Sequence, residues 1–167
     1  MWVVFKYKKK EYNILVQELK KKLGNLAQFY NPKIFYEKEF KKKKKNFEDY
    51  VLKGYAFCYY KDFQSKNYIS KLKNLKGLEY FLSGHNEQQN QIVEFINTCK
   101  KHEDINGYIK NSFFSNLNFS KIKFLNGPFS NLIFKILEKD EKKFEVVLGK
   151  IKLTISNKSN YIYSPIY

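Results

Sequence analysis

The chain has no arginine: all 32 of its basic residues are lysine, set against 16 acidic residues for a formal net charge of +16 over 167 residues. This bears on recognition, because the planar guanidinium is the usual tool for bidentate reading of guanine edges, whereas a lysine ammonium is a point charge. A polyanion drawn to such a chain is held through its phosphates, in a salt-sensitive and sequence-independent way. An AT-rich coding sequence produces the same excess of Lys, Asn, Ile, Phe and Tyr, so charge alone does not name a partner. Cysteine is scarce too. Cys58 and Cys99 form no CxxC pair and have no His/Cys cluster around them, so a reduced cytosolic setting with two inert buried thiols is expected. No apolar run reaches the ~18 residues of a membrane-spanning helix. The start, Met1-Trp2-Val3-Val4-Phe5-Lys6, is too short and too soon charged for a signal peptide. A cytoplasmic monomer without membrane association is the expectation.

Catalytic chemistry is equally thin. His85 and His102, the only histidines, stand isolated, and Asp49, Asp62, Asp104 and Asp140 lack paired spacing. There is no Gly-rich phosphate loop, no serine elbow and no metal motif. The reading is a non-enzyme with no catalytic residue, no metal and no cofactor; an enzyme would need a clustered His/Asp/Cys pocket assembled only by folding.

What the chain does have is apolar and aromatic mass. A hydrophobic fraction of 43%, with 14 Tyr and 16 Phe, is ample for the core of one ordinary domain or two small ones. Trp2–Tyr7 reads as a buried strand. Glu11–Leu23 has helical spacing at Ile14, Leu15, Leu19 and Leu23, with Gly24 as a stop. Phe29–Phe40 reads as extended, and the five lysines Lys41–Lys45 as a loop or hairpin tip. Tyr50–Tyr60 is the strongest strand candidate, followed by a helix over Lys66–Leu75, a strand over Gly77–Leu82 and a helix over Gln88–Lys101. This order describes an open antiparallel α+β sandwich. The stretch His102–Asn118 then turns polar and loses its period, as a linker does. Short runs at Ile122–Leu125, Leu132–Leu137, Phe144–Leu148, Ile151–Ile155 and Tyr161–Tyr163 suggest five strands of a small barrel.

Glycine and proline, only 7 and 3 in number, meet at one corner, Asn126-Gly127-Pro128-Phe129, after the basic strand Lys121-Ile122-Lys123. Asn-Gly supplies tolerance of positive φ, and Pro128 fixes its own φ and cannot donate to a ladder. Gly127-Pro128-Phe129 resembles the signature corner of a KOW domain. Three further matches lie in the same order as in the NusG/RfaH family of transcription factors. Trp2-Val3-Val4-Phe5 resembles that family's opening strand, and Gly54-Tyr55-Ala56-Phe57 its Pro-Gly-Tyr-Val-Phe-Val strand, with Lys53 replacing the proline. Leu75–Leu82 resembles its Val-Pro-Gly-Val-x-x-Phe-Val segment. Val147-Leu148-Gly149-Lys150-Ile151-Lys152-Leu153, after the corner, resembles that family's Phe-Gly-Arg-x-x-x-Val/Leu. The resemblance spans nearly the whole chain and implies an NGN α/β sandwich with an antiparallel sheet over 1–101, a linker over 102–118 and an SH3-like KOW β-barrel over 119–167.

The resemblance further implies an elongation or antitermination factor that binds the β′ clamp helices of RNA polymerase and bridges the cleft, suppressing pausing or termination. By position, Tyr55 and Phe57, alternate residues of one strand, would make the apolar contact, with Leu52 beside them. Ser70, within Tyr68-Ile69-Ser70-Lys71, falls where the RfaH branch touches the β-subunit gate loop. Lys8, Lys9 and Lys10 fall where that branch touches non-template DNA, with Tyr7 or Tyr12 available to stack a base. Lys43 belongs to the lysine block that would face upstream DNA. Phe129 with Ile133 or Phe134 would form the KOW patch for Rho or a small-subunit ribosomal protein, or else pack in the barrel core. The chain also departs from the family pattern: Phe134 stands where KOW domains carry glycine, as the RfaH branch also lacks it, which favours a specialised regulator over the housekeeping factor. Leu132, Ile133, Ile136, Leu137, Phe144, Val147 and Leu148 also satisfy helical spacing, a second reading opposed by Gly149 and the Ile151–Ile155 alternation. The alternative function is a KOW-containing RNA- or ribosome-binding protein.

Overall fold

A computed structural model describes residues 1–40, 43–110, 113–114, 120–140, 143–156 and 161–166. In chain order its elements are β1 (Trp2–Tyr7), α1 (Tyr12–Leu23), β2 (Gln28–Tyr30), β3 (Lys33–Phe40), β4 (Lys43–Tyr50), β5 (Tyr55–Tyr59), α2 (Lys66–Ser70), β6 (Leu78–Phe81), α3 (Gln89–Lys101), β7 (Lys121–Phe124), β8 (Ile133–Lys139), β9 (Lys143–Leu148), β10 (Ile151–Ser156) and β11 (Tyr163–Ile166). The fold is mixed, with 24% helix, 41% strand and antiparallel sheets, which makes it α+β. The chain divides into two compact units, Met1–Pro32 with Tyr50–Lys101, and Lys33–Asp49 with His102–Tyr167.

The first unit is built on a four-stranded sheet in the order β2-β5-β1-β6. Along β1, Val3, Phe5 and Tyr7 are buried and Trp2, Val4 and Lys6 half-buried, the alternation of a strand whose two faces are covered unequally. The buried face packs on Leu15, Leu19 and Leu23 of α1, spaced four apart on one stripe, and on Phe63, Ile69 and Leu72. The helix ends where Gly24 donates its N–H to the Lys20 carbonyl at 2.8 Å, and Lys20, Lys21 and Lys22 sit at the favourable end of its dipole. Two expected elements are shorter than the periodicity suggests. The Tyr50–Tyr60 run is broken at Gly54, whose φ of +87° and the 2.9 Å bond from Tyr55 N–H to the Leu52 carbonyl make a turn, so Tyr50 ends β4 and β5 starts at Tyr55. Beyond Ser70, i→i−3 bonds such as Leu72 to Ile69 replace the expected continuation of α2.

The second unit holds a five-stranded sheet in the order β10-β9-β8-β7-β11 and a separate β3-β4 ribbon. Four of the five runs expected after residue 119 coincide with β7 to β10, while the fifth, Tyr161–Tyr163, meets β11 only at Tyr163; apart from Leu132, strands occupy the residues that also satisfied helical spacing. Ile122, Phe124, Phe134, Val146, Ile155 and Tyr163 are buried, as are Phe113 and Phe114. The ribbon Lys33–Asp49, expected within the first domain, groups with this unit. So does the described start of the polar stretch 102–118. There Asp104 Oδ1 accepts from the N–H groups of Asn106 (2.8 Å) and Tyr108 (3.0 Å), and Ile109 N–H donates to the Lys33 carbonyl at 2.7 Å.

Candidate functional site

The face of the first sheet opposite α1 carries Leu52, Tyr55 and Phe57, which sequence singled out for an apolar contact. Register sets Lys6 of β1 against Tyr55 of β5 on one side and Tyr80 of β6 on the other. The three side chains form a row. The two tyrosine hydroxyls lie 3.2 Å apart, and Lys6 Nζ sits 5.8 Å from the Tyr55 ring centroid and 5.5 Å from that of Tyr80. Glu79 pairs with Lys6 at 3.2 Å, and this hydrogen bond is the main cause that holds the ammonium above the usual lysine range. Tyr80 is 46% exposed.

Beside this row α3 lies over the rest of the face. Phe57 is 4% exposed, in a cluster with Ile92 and Ile96 to which Trp2, Val4, Tyr30, Leu52 and Phe95 add half-buried contact. Its ring centroid is 5.7 Å from that of Phe95 and 6.2 Å from that of Tyr30. The expected exposed pair is therefore divided: Tyr55 is half-exposed and Phe57 is floor, because the apolar stripe of α3 closes over it. Leu52 does join the Phe57 patch. Gln89 fixes the start of α3, accepting from Trp2 N–H at 3.0 Å and donating to the Trp2 and His85 carbonyls at 2.6 Å each. Sequence reasoning missed Tyr80 and Lys6; strict alternation from the buried Leu78 would put Tyr80 on the same face, and it is the register shift opposite Lys6 and Tyr7 that turns Tyr80 outward.

Lys8, Lys9 and Lys10 are exposed at the β1–α1 corner, where Lys8 N–H donates to the Gly77 carbonyl at 2.8 Å and Lys10 has φ +71°. Neither tyrosine beside them offers a free face. Tyr7 is buried and Tyr12 half-buried, in a triangle with Tyr50 at centroid distances of 5.0, 5.4 and 6.4 Å, and Asn31 Nδ2 donates to Tyr7 Oη at 3.2 Å. Burial raises the Tyr12 phenol well above its ordinary range. Ser70 is exposed at the end of α2 and lines a cavity of about 530 Å³ with Lys73, Tyr80, His85 and Glu87. His85 Nδ1 lies 3.0 Å from the Leu82 carbonyl, which puts the ring proton on Nδ1. The thiols of Cys58 and Cys99 are both buried, and burial pushes that of Cys58 up to about 12.

In the second unit the three residues expected to form a partner patch separate. Phe134 is fully buried, ringed by Phe124 at 5.4 Å and Phe129 at 5.9 Å, so it is core and offers no contact. Phe129 is half-buried in the same aromatic group, while Ile133 is 45% exposed beside Leu132 and Leu137. Lys43 is exposed at the start of β4, and Lys41 and Lys42 lie outside the described residues.

No group of His, Cys, Asp and Glu side chains with metal-binding geometry occurs among the described residues, and no helix among them is long and apolar enough to cross a membrane. In comparisons with known proteins, no family model and no curated protein matches the chain.

Proposed function

We propose that the protein is a transcription elongation or antitermination factor of the NusG/RfaH type, with the first sheet unit as its NGN domain and the five-stranded sheet as its KOW barrel. The observation that carries the reading is the Tyr55–Lys6–Tyr80 row beside the Leu52–Phe57 patch: aromatic, apolar at one side and open at the other. Exposed tyrosines on a rigid sheet lose little entropy on docking and suit an interface centre. Tyr55 and Tyr80 would meet the clamp helices of RNA polymerase, with Phe57 supporting them from beneath. Ser70, beside Tyr80 in the same cavity, would reach the gate loop. Lys8, Lys9 and Lys10 would steady the exposed DNA strand by charge alone. In the KOW domain the exposed Ile133, rather than Phe134, would recruit Rho or a ribosomal protein. The mechanism is mechanical: a factor spanning the cleft keeps the clamp closed and so suppresses pausing and termination. The specialised role over the housekeeping one rests on Phe134 in place of the family's glycine.

The test is binding of the Tyr55→Ala/Tyr80→Ala double variant to isolated β′ clamp helices. Both side chains are partly exposed, so the fold should survive, and the affinity should fall at least tenfold, as for a hot-spot pair. Unchanged affinity would remove the anchoring role.

A further inference from the structure

The β3–β4 ribbon of the second unit has one more covered and one more open face. Along β3, Ile34 is buried and Tyr36 and Lys38 half-buried, whereas Phe35 and Glu37 between them are exposed. Alternation puts Lys33, Phe35 and Glu37 on the open face with Lys44, Asn46 and Glu48 of β4, all three of these exposed. The contacts agree: Lys33 pairs with Glu48 at 2.8 Å and Lys44 with Glu37 at 2.9 Å. Lys43 and Lys45 alternate to the other face. In a chain of +16, the described charges of the open face are therefore balanced, around a Phe35 that is 43% exposed. The patch is also uneven. At one end the Tyr108 ring lies 5.3 Å from that of Phe35 and its hydroxyl donates to Glu48 at 2.9 Å, and the side chains of Lys33 and Glu48 are 37% and 40% exposed. At the other end those of Lys44 and Glu37 stand 75% and 47% exposed.

We infer that this open face binds the same face of a second copy of the chain, about a two-fold axis that crosses the strands. The argument is charge complementarity. Each strand runs from a lysine to a glutamate, and each ion pair joins one strand's lysine to the other's glutamate, so the four charges alternate around Phe35. A rotation that exchanges the two ends lays Lys33 on the partner's Glu37 and Glu48 on the partner's Lys44. It brings the two Phe35 rings side by side near the axis. Each Tyr108 then meets the open end of the other patch. An isologous contact of this kind needs a self-complementary surface, which an alternating set of four charges supplies by symmetry. An aromatic centre with a rim of paired charges has the composition of an interface. Two strands of eight residues offer a small area, so the dimer is weak and reversible. The net charge opposes it, but salt near 0.15 M screens repulsion beyond about 8 Å, and the contacting pairs are closer than that. The inference goes beyond the polymerase reading, because no residue of the Tyr55 row takes part, and it replaces the expected monomer with a concentration-dependent dimer.

The full chain would be followed by sedimentation equilibrium from about 1 μM to 1 mM in about 0.15 M salt, a range that populates weak association. The mass should rise reversibly from monomer towards dimer. Phe35→Ala should weaken the dimer about tenfold, as loss of a central aromatic anchor does, with circular dichroism unchanged. Lys44→Glu, at the most exposed of the four charges, should weaken it as well by setting a carboxylate against the partner's Glu48. Lys45→Ala, on the other face, should leave it intact. Zero-length carbodiimide coupling of mixed unlabelled and isotope-labelled chains then reads the arrangement. Within one chain Lys33 and Glu37 lie about 13 Å apart along β3, too far to couple, so a Lys33–Glu37 link between a light and a heavy chain reports the two-fold. A monomer throughout the range would overturn the inference and leave the face to a different protein. Full affinity in Phe35→Ala, or inter-chain links confined to other surfaces, would overturn it too. The Tyr55→Ala/Tyr80→Ala variant should dimerise normally, so failure of one reading does not carry the other with it.

Discussion

At Gly127 φ is +75°, and a Cβ added there would lie 2.6 Å from Cε1 and 2.8 Å from Cδ1 of Tyr161. Two costs therefore meet at one residue, a left-handed backbone and a ring in the way. The ring cannot move freely, because its centroid lies 6.0 Å from that of Phe124 and 6.4 Å from that of Phe129. Backbone bonds fix the same place: Asn126 Oδ1 accepts from Ile162 N–H at 2.7 Å, and Leu125 N–H donates to the Ile162 carbonyl at 2.8 Å. Gly127→Ala should lower stability by about 1–3 kcal/mol in urea denaturation, the range for strained backbone with local overpacking. Placed in a Tyr161→Ala background, the same substitution should cost less, since only the backbone part remains. Equal costs in both backgrounds would show that the ring clash does not matter.

Sequence made the corner itself legible, because Asn-Gly-Pro has few other uses. The ring that closes over it was not legible, since a contact between residues distant in the chain leaves no local period. The same limit governs whole elements. The helices α1 and α3 and the strand β1 were readable from periods of 3.6 and 2, and β7 to β10 from their turn signals. The β3–β4 ribbon was legible in part: Phe29–Phe40 read as extended and Lys41–Lys45 as a loop or hairpin tip, whereas Lys43–Lys45 belong to a strand whose exposed face tolerates charge. At the candidate site, alternation put Tyr55 and Phe57 on one face, and it was α3 that determined which of them stays open.

The ribbon's own stability should depend on pH. Glu48 is held below the usual carboxylate range, first by the hydrogen bond from Lys33 and then by that from Tyr108, partly opposed by burial. A carboxyl whose folded value is depressed contributes its stability fully above its unfolded value, about 4.5, and loses it as pH falls through the folded value. Amide exchange in β3 and β4 should therefore speed up in acid relative to the neighbouring five-stranded sheet. In carboxyl NMR titrations, Lys33→Ala should raise the Glu48 midpoint further than Tyr108→Phe does. The reverse order would mean that the tyrosine, not the ion pair, is the main support.

Across the whole molecule, charge cannot be neutralised internally. Even with every carboxylate paired, a surplus of 16 lysine charges would remain. Association with any polyanion must then fall steeply with salt, whereas an apolar contact through Tyr55 and Tyr80 is screened little. Raising salt from about 50 to 200 mM should weaken binding to a homopolymeric RNA by orders of magnitude, as release of several counterions requires. Binding to the clamp helices should change only slightly. If both fall in parallel, the contact is electrostatic, and the RNA- or ribosome-binding reading replaces the polymerase one.

The division of the chain also sets an order of events at the ribosome. Glu48 and Tyr108, joined through a 2.9 Å bond, are 60 residues apart, with most of the first unit between them. At translation speeds of about 5–20 residues per second, the ribbon emerges roughly 3–12 s before the tyrosine that covers it. During that interval the ring of Phe35 lacks its Tyr108 partner, and Phe35 and Phe47 stand on a short pair of strands, the kind of segment that pairs with its copies on neighbouring chains. The lysines that flank them repel such copies. Charge at the ribbon is thus a gatekeeper for the nascent chain as well as a feature of the finished protein.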